Sequence, residues 1–438
     1  MHIKLGYGKG FQEAEVADSS IIKIIEQNEI DDAKADVPVS VPDIIRGALA
    51  EPIGTERLRD IVKPGEKIAI ITSDITRPMP TWEVMPYVLE ELAAAGITEE
   101  DAANDVTLIF ALGSHRAHTD EERRRLAGDA YDKIKCVDSD PDNCLHLGTT
   151  SNGTPVDITK AVAEADRIIC LGNIEYHYFA GFSGGVKALF PGASTNEAIQ
   201  ANHSMMVRDE ACTGNLDGNP LREDLEEVID ICPIDFILNV VLDEHKHIVN
   251  AVAGDVIKAH RVGCEYLDRL YRVSIPERAD IVIVSQGGAP KDLNLYQTQK
   301  ALDNSKHAVK DGGTIVLVGS CREGLGQKVF EEWITEAEAP QDLITRVREN
   351  FRLGGHKAAA IAMVLERANI KLVSEMDTSL VRQIFMEPYS DLQTAVDDAI
   401  AEQRAAHAGE SAGSDAAGSD YEPSIIIMPY GGSTLPSL

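Results

Sequence analysis

Three short apolar runs, KIAIIT at 67–72, VTLIFAL at 106–112 and RIICLG at 167–172, constrain this chain most. Each is rich in β-branched residues, too short for a typical helix, and closed by a polar loop that leads toward a helical pattern. Unbroken hydrophobicity of this kind belongs to strands covered on both faces, so the alternation predicts parallel strands with helices packed against them. A second alternation begins at ADIVIVS, after Ser274-Ile275-Pro276, and continues through GGTIVLVGS and IKLVSEM. The expected class is α/β: two α/β domains with mainly parallel sheets and a site in the cleft between them. Residues 1–272 form the expected N-terminal domain and 273–405 the C-terminal one. Residues 406–422 read as a flexible acidic linker, and 423–438 as a terminal strand returning to a sheet.

In open α/β sheets, ligands gather outside the carboxyl ends of the strands. The loop after the first run is SDITRPMP, holding Asp74 and Arg77; the loop after the second is GSHRAHT, holding His115 and Arg116. After the third comes HYFAGFSGGVKALFPGASTNEAIQANH, from His177 to His203. Three loops on one edge would form a single pocket, with Arg77, His115 and His177 facing inward. Taken singly, Asp74 and Arg77 read as readily as an ion pair or helix cap. His118, one residue before the Thr119 cap, is expected to be exposed.

The third segment combines an anion cradle, an amine and two imidazoles. Gly181, Gly184 and Gly185 let the main chain approach a ligand and aim N–H groups at an anion. Lys187 ends that turn, but Ala188 follows it and the glycine spacing is wrong, which excludes a Walker A loop. Ser194 and Glu197 form a capping-box pattern, so a helix starts near Thr195 and carries His203. A lone helical histidine is more often a packed residue than a ligand; the combination is what singles out His203.

The formal net charge of -31 disfavours nucleic acid and anionic membranes as partners. An anionic substrate would need a local basic site. No signal peptide or eighteen-residue apolar span is present, which places the expected protein in the cytoplasm. The seven cysteines are scattered and never form a CxxC pair, so they read as inert thiols, with Cys170 in the core. The acidic stretch around Asp31–Asp36 reads as a linker. His245 and His247 fall at the tip of a hairpin between FILNVVLD and IVNAVAGD.

In the second half, the loop QGGAPKDLNLYQTQK leads into a helix with Tyr296, Gln297 and Lys300 near its start. Gln297 and Lys300, at i and i+3, share a face that reads equally as ordinary helix surface. PYGG, near the end of the sequence, is expected to approach the site.

Together, SDITRP, GSHRAHT, the HYFAGFSGGVKALFPG stretch with its downstream His203, and YQTQK resemble the nickel-dependent lactate racemase (LarA-like) family over most of the chain. The resemblance implies a racemase or epimerase of a 2-hydroxy acid, holding a nickel-pincer nucleotide with Ni(II). It also implies that cofactor-synthesis enzymes are partners. Lys187 would carry the cofactor covalently, with Gly184 and Gly185 beside it, and His203 would ligate nickel. A pincer supplies two sulfurs and a carbon in one plane, so one protein imidazole completes a square-planar site.

Reversible hydride transfer through a 2-keto acid needs a base for either enantiomer, a task for His115 and His177. Arg77 and Lys300 would clamp the carboxylate and Gln297 would bond a carboxylate or carbonyl oxygen. Asp74 would orient a neighbouring cation or histidine, and Tyr296 falls in the same orienting set. Lactate-racemising members line the pocket with a second-domain tryptophan, whereas this chain has only Trp82 and Trp333 and reads LGGHKAA in the matching stretch. His356 or Lys357 in place of an apolar wall suits a larger or more polar substrate, a dicarboxylic or sugar acid. Another hydride-transfer reaction on the same cofactor, or a non-catalytic nickel-nucleotide binder, are the rival readings. The sequence is compatible with a homo-oligomer without dictating one.

Overall fold

The computed structural model describes residues 1–28, 40–243, 245–411 and 421–438. The chain divides into two compact units, Ile30–Arg269 and a second composed of Met1–Glu29 with Leu270–Leu438. The acidic stretch at 31–36 lies outside the described residues.

In the unit Ile30–Arg269 a six-stranded sheet runs in the order 248–254, 236–242, 167–174, 68–73, 106–111, 135–138. All neighbours are parallel except the edge pair of 236–242 with 248–254. The strand Ile68–Ser73 comes first in the chain and has Val106–Ala111 on one side and Arg167–Ile174 on the other. Chain direction around the sheet therefore reverses beside it, a topological switch point. Its residues Ile68, Ile70 and Ile71 are buried, as continuous apolar strands require, and Val84, Val88 and Leu92 of the helix Thr81–Ala94 join the same core. The hairpin expected around His245 and His247 is the antiparallel edge pair.

The second unit carries another six-stranded sheet, in the order 387–389, 368–373, 309–318, 279–285, 425–428, 21–24, parallel throughout. The terminal strand thus returns to a sheet, Ile425–Met428 pairing with Ala279–Ser285. The first strand of that sheet, Ile21–Ile24, comes from the N-terminal segment. Residues 1–28 are accordingly built into this unit, unlike the expected single domain over 1–272. Ile3 and Leu5 of the hairpin His2–Tyr7/Gly10–Glu15 join its core with Ile281, Ile283 and Ile427, so backbone pairing and apolar contact both hold the segment there.

The stretch 406–422, expected as a linker, is in part otherwise structured at both its ends. The helix Leu392–Ser411 continues through its first residues, and Glu422 accepts from Ser20 Oγ at 3.0 Å and pairs with Arg404 at 2.8 Å. Residues 412–420 lie outside the described residues. Among the described residues no helix is long and apolar enough to cross a membrane.

Candidate active site

Parallel register sends the loops after 68–73, 106–111 and 167–174 from the same edge of the first sheet. Asp74 is buried, and its Oδ2 lies 2.8 Å from His115 Nδ1 across the first two of these loops. Thr76 Oγ1 donates to Asp74 Oδ1 at 2.8 Å and lies 3.3 Å from His115 Nδ1. Burial alone would raise the carboxyl pKa of Asp74, but the His115 hydrogen bond and charge, Thr76 and the Arg77 cation hold it below its ordinary value. With Nδ1–H on the carboxylate, Nε2 of His115 is left as the basic nitrogen. Arg77 is exposed, and its charge acts on both Asp74 and Lys187.

His118 is buried, contrary to the expectation from sequence. Its Nδ1 lies 2.7 Å from Asp138 Oδ1, and its Nε2 accepts the Ile75 N–H at 3.0 Å. It ties the Asp74 loop to the neighbouring edge strand, a structural task that the adjacent Thr119 cap signal obscured.

The third loop opens with a tight antiparallel pair, Tyr176–His177 against Gly181–Phe182. Ala180 N–H donates to His177 Nδ1 at 3.3 Å. The Phe179 ring centroid lies 4.4 Å from that of His177, 4.8 Å from that of His203 and 5.9 Å from Lys187 Nζ. One buried aromatic therefore gathers three of the residues singled out in sequence. Phe179 was not among them, although it stands inside the HYFAG motif.

His203 ends the helix Asn196–His203 and is buried. Its cap is Thr195, whose side chain accepts from Ala198 N–H at 3.3 Å, and not Ser194, whose Oγ instead donates to Asp157 O at 2.7 Å. His203 Nδ1 sits 3.1 Å from Asn202 Oδ1, Asn202 Nδ2 donates to Asp224 Oδ2 at 2.8 Å, and Asp224 also accepts from Thr150 and Thr154. This buried relay directs the Nδ1–H of His203 toward Asn202, which puts the imidazole lone pair on Nε2.

Lys187 lies in the turn Gly185–Ala188. Burial of the amine, then the Arg222 and Arg77 cations, push its pKa well below the ordinary lysine value, against the pull of Glu175. The glycines before it serve close approach. Gly184 and Gly185 have φ of 77° and 60°, and a Cβ on them would come within 2.8 Å of Asn239 Oδ1 and 3.0 Å of the His260 ring. The Gly185 N–H is already spent on Asn239 Oδ1 at 2.7 Å, so it does not supply the expected anion cradle.

From beneath, the same stretch is pinned by side chains that carried no sequence signal. Asn219 Nδ2 donates to Phe179 O at 2.9 Å, and Arg222 donates to Ala180 O at 3.2 Å and to Phe182 O. His260 Nε2 donates to Ser183 O at 2.8 Å; burial and the nearby Arg222 keep this imidazole neutral, its pKa well below the usual value.

In the second unit, Tyr296, Gln297 and Lys300 begin the helix Leu295–Ser305, capped by Asn294. Gln297 and Lys300 are exposed. Tyr296 is half-buried beneath Lys357, whose Nζ donates to Tyr296 O at 2.6 Å and lies 4.2 Å from the ring centroid. His356 is buried, accepts Gly354 N–H at 2.9 Å, and is pushed down to about 3 by burial and the Lys357 charge. PYGG leaves the strand 425–428, and within this unit Tyr430 packs against Gly287.

Residues 7–214 match the family described as lactate racemase N-terminal domain, and 275–410 the lactate racemase C-terminal domain. A lactate racemase of Thermoanaerobacterium thermosaccharolyticum is 35% identical over 406 residues, covering 90% of this chain and 93% of its own. One from Lactiplantibacillus plantarum is 32% identical over 376 residues, covering 83% and 87%. The lactate racemase apoprotein structure from T. thermosaccharolyticum aligns over 100% of both chains with a TM-score of 0.86 at 32% identity. A Thermotoga maritima protein at 18% identity, covering 92% of this chain and 99% of its own with a TM-score of 0.62, shares the fold. The chain is an isomerase of the lactate racemase family.

Proposed function

We propose that this protein racemises or epimerises a 2-hydroxy acid by reversible hydride transfer through a 2-keto acid, with a nickel-pincer nucleotide attached to Lys187. The observation that supports it most is the gathering of His177, Lys187 and His203 around Phe179. The residues fit the cofactor. Among the described residues no cluster of three or more His, Cys, Asp or Glu could hold a metal, so a metal here needs donors from a cofactor, with His203 Nε2 as the protein's share. Burial and the Arg222 and Arg77 charges favour the free amine of Lys187, which is the form that acylation requires. When bound, the nickel-pincer nucleotide would supply a reversible hydride acceptor.

The chain's own residues manage the protons. His115 Nε2 takes the hydroxyl proton from one enantiomer while Asp74 stabilises the imidazolium through Nδ1. His177 takes the same part for the other enantiomer. Arg77 provides a cation for the substrate carboxylate, and Gln297 and Lys300 are the proposed carboxylate-binding groups of the second unit, Tyr296 orienting them. Lactate, the substrate in the relatives' name, is the first to test. The Lys357 ammonium on Tyr296 makes dicarboxylic and sugar acids the next.

Co-expression with cofactor-making enzymes should add mass that maps to the Lys187 peptide. An adduct on another lysine would overturn the attachment. The loaded H115A and H177A variants should each lose racemisation by about 10²–10⁴ while keeping fold and nickel content. Near-normal turnover by either would end the paired-histidine mechanism, and a panel of chiral 2-hydroxy acids would identify the substrate.

A further inference from the structure

Among the described residues Arg222 is the largest fully buried side chain, on the helix Pro220–Ile231, with no direct part in the chemistry above. A buried guanidinium is costly unless its donors are used. Here Nε goes to Ala180 O and Nη2 to Phe182 O, while Nη1 has no hydrogen-bond acceptor and lies 3.8 Å from Glu226 Oε1. Glu226 is itself engaged by Arg261 at 2.8 Å. The buried cation is thus only partly offset by Glu226, on a helix that packs against the turn carrying Lys187. A surface ion pair or an apolar residue would fill the same volume without that residual charge.

We propose that Arg222 is a positioning residue for the Lys187 amine: it fixes the hairpin leading into the Lys187 turn through the carbonyls of Ala180 and Phe182 and holds a positive charge, only partly offset by Glu226, on a helix packed against that turn. This deepens the reading of Lys187 as the cofactor's attachment point and rests on it. Arginine keeps its proton even when buried, so the charge persists at any working pH. The groups that act on Lys187 are Arg222 and Arg77, which disfavour its protonation, and Glu175, which favours it; His260, below the turn, stays neutral. Of these charges, Arg222 acts on Lys187 most, and it is hydrogen-bonded to the backbone of the hairpin that leads into the turn. Geometry and electrostatics therefore come from one side chain.

The test uses full-length protein made without the cofactor enzymes, pulse-labelled with acetic anhydride from pH 6 to 11. Lys187 acylation is read by peptide mass against exposed Lys133. Wild-type Lys187 should react at pH 7 at least about tenfold faster than Lys133 once both are scaled to their high-pH plateaus, because one pKa unit is a tenfold change in free amine. R222Q should move the Lys187 midpoint upward and lower cofactor loading on co-expression. Should R222Q fail to fold, E226Q serves instead: removing the nearby carboxylate should move the midpoint down. A folded R222Q or E226Q with an unchanged Lys187 profile, or wild-type Lys187 that never labels, would overturn the proposal. A correct profile together with an adduct on another lysine would instead sink the attachment reading and leave the Arg222–Lys187 coupling standing.

Discussion

Asp74 keeps its charge while buried because His115 and Thr76 donate to it and Arg77 lies close by. Its folded-state pKa is depressed, so its contribution to stability is present above the unfolded value of about 3.9 and is lost as pH falls through the lower folded value. D74N should therefore show a flatter fall in melting temperature below about pH 4 than wild type. Loaded D74N should also lose about 10²-fold or more of its racemisation, since the imidazole loses its orienting acceptor. Equal acid limbs for the two proteins in a melting-temperature series would contradict the first point. At the proposed metal ligand, N202A removes the acceptor facing His203 Nδ1 and should weaken nickel retention by about 10–100-fold, read by metal analysis after dialysis against a mild chelator.

At the scale of elements, the turn before Lys187 is a backbone feature secured from three sides, by the helices Pro220–Ile231 and Lys258–Tyr271 and the strand Phe236–Leu242. G185A forces a Cβ onto a left-handed conformation and against the His260 ring, and should cost about 1–2 kcal/mol in urea unfolding. N239A should cost about 1–3 kcal/mol by stranding the Gly185 N–H. The glycines and the lysine were legible in the sequence because each breaks a local rule: positive φ, or a charge in an apolar run. Arg222, His260 and Asn239 were not. They sit in ordinary helix and strand patterns, and what they do depends on partners 40 or more residues away. The Gly185 N–H was misread for the same reason, since a buried acceptor from another strand had already claimed it. His118 shows the converse, a local cap signal at Thr119 hiding a long-range bond to Asp138.

For the whole molecule, the parallel sheets followed directly from unbroken β-branched runs, and the common edge for three loops followed from their shared direction. The placement of residues 1–28 did not, because strand pairing between Ile21–Ile24 and Ile425–Met428 leaves no periodic trace in either segment. The net charge of -31 opposes compaction through self-repulsion. Screening should relieve it: melting temperature should rise between about 0.01 M and 0.5 M NaCl, as the Debye length shrinks from ~30 Å toward a few ångströms. A salt-independent or falling melting temperature by scanning calorimetry would show that local ion pairs outweigh the global field.

The pairing of Ile21–Ile24 with Ile425–Met428 also sets an order of events during synthesis. The unit Ile30–Arg269 has every one of its sheet strands in hand once the ribosome has passed residue 269, so it can fold while translation continues. The N-terminal segment, although made first, must wait with its apolar face uncovered until the strand at 425–428 emerges. A ribosome stalled between these points would hold one finished body flanked by an unfinished one, and that window is when a chaperone would have something to bind.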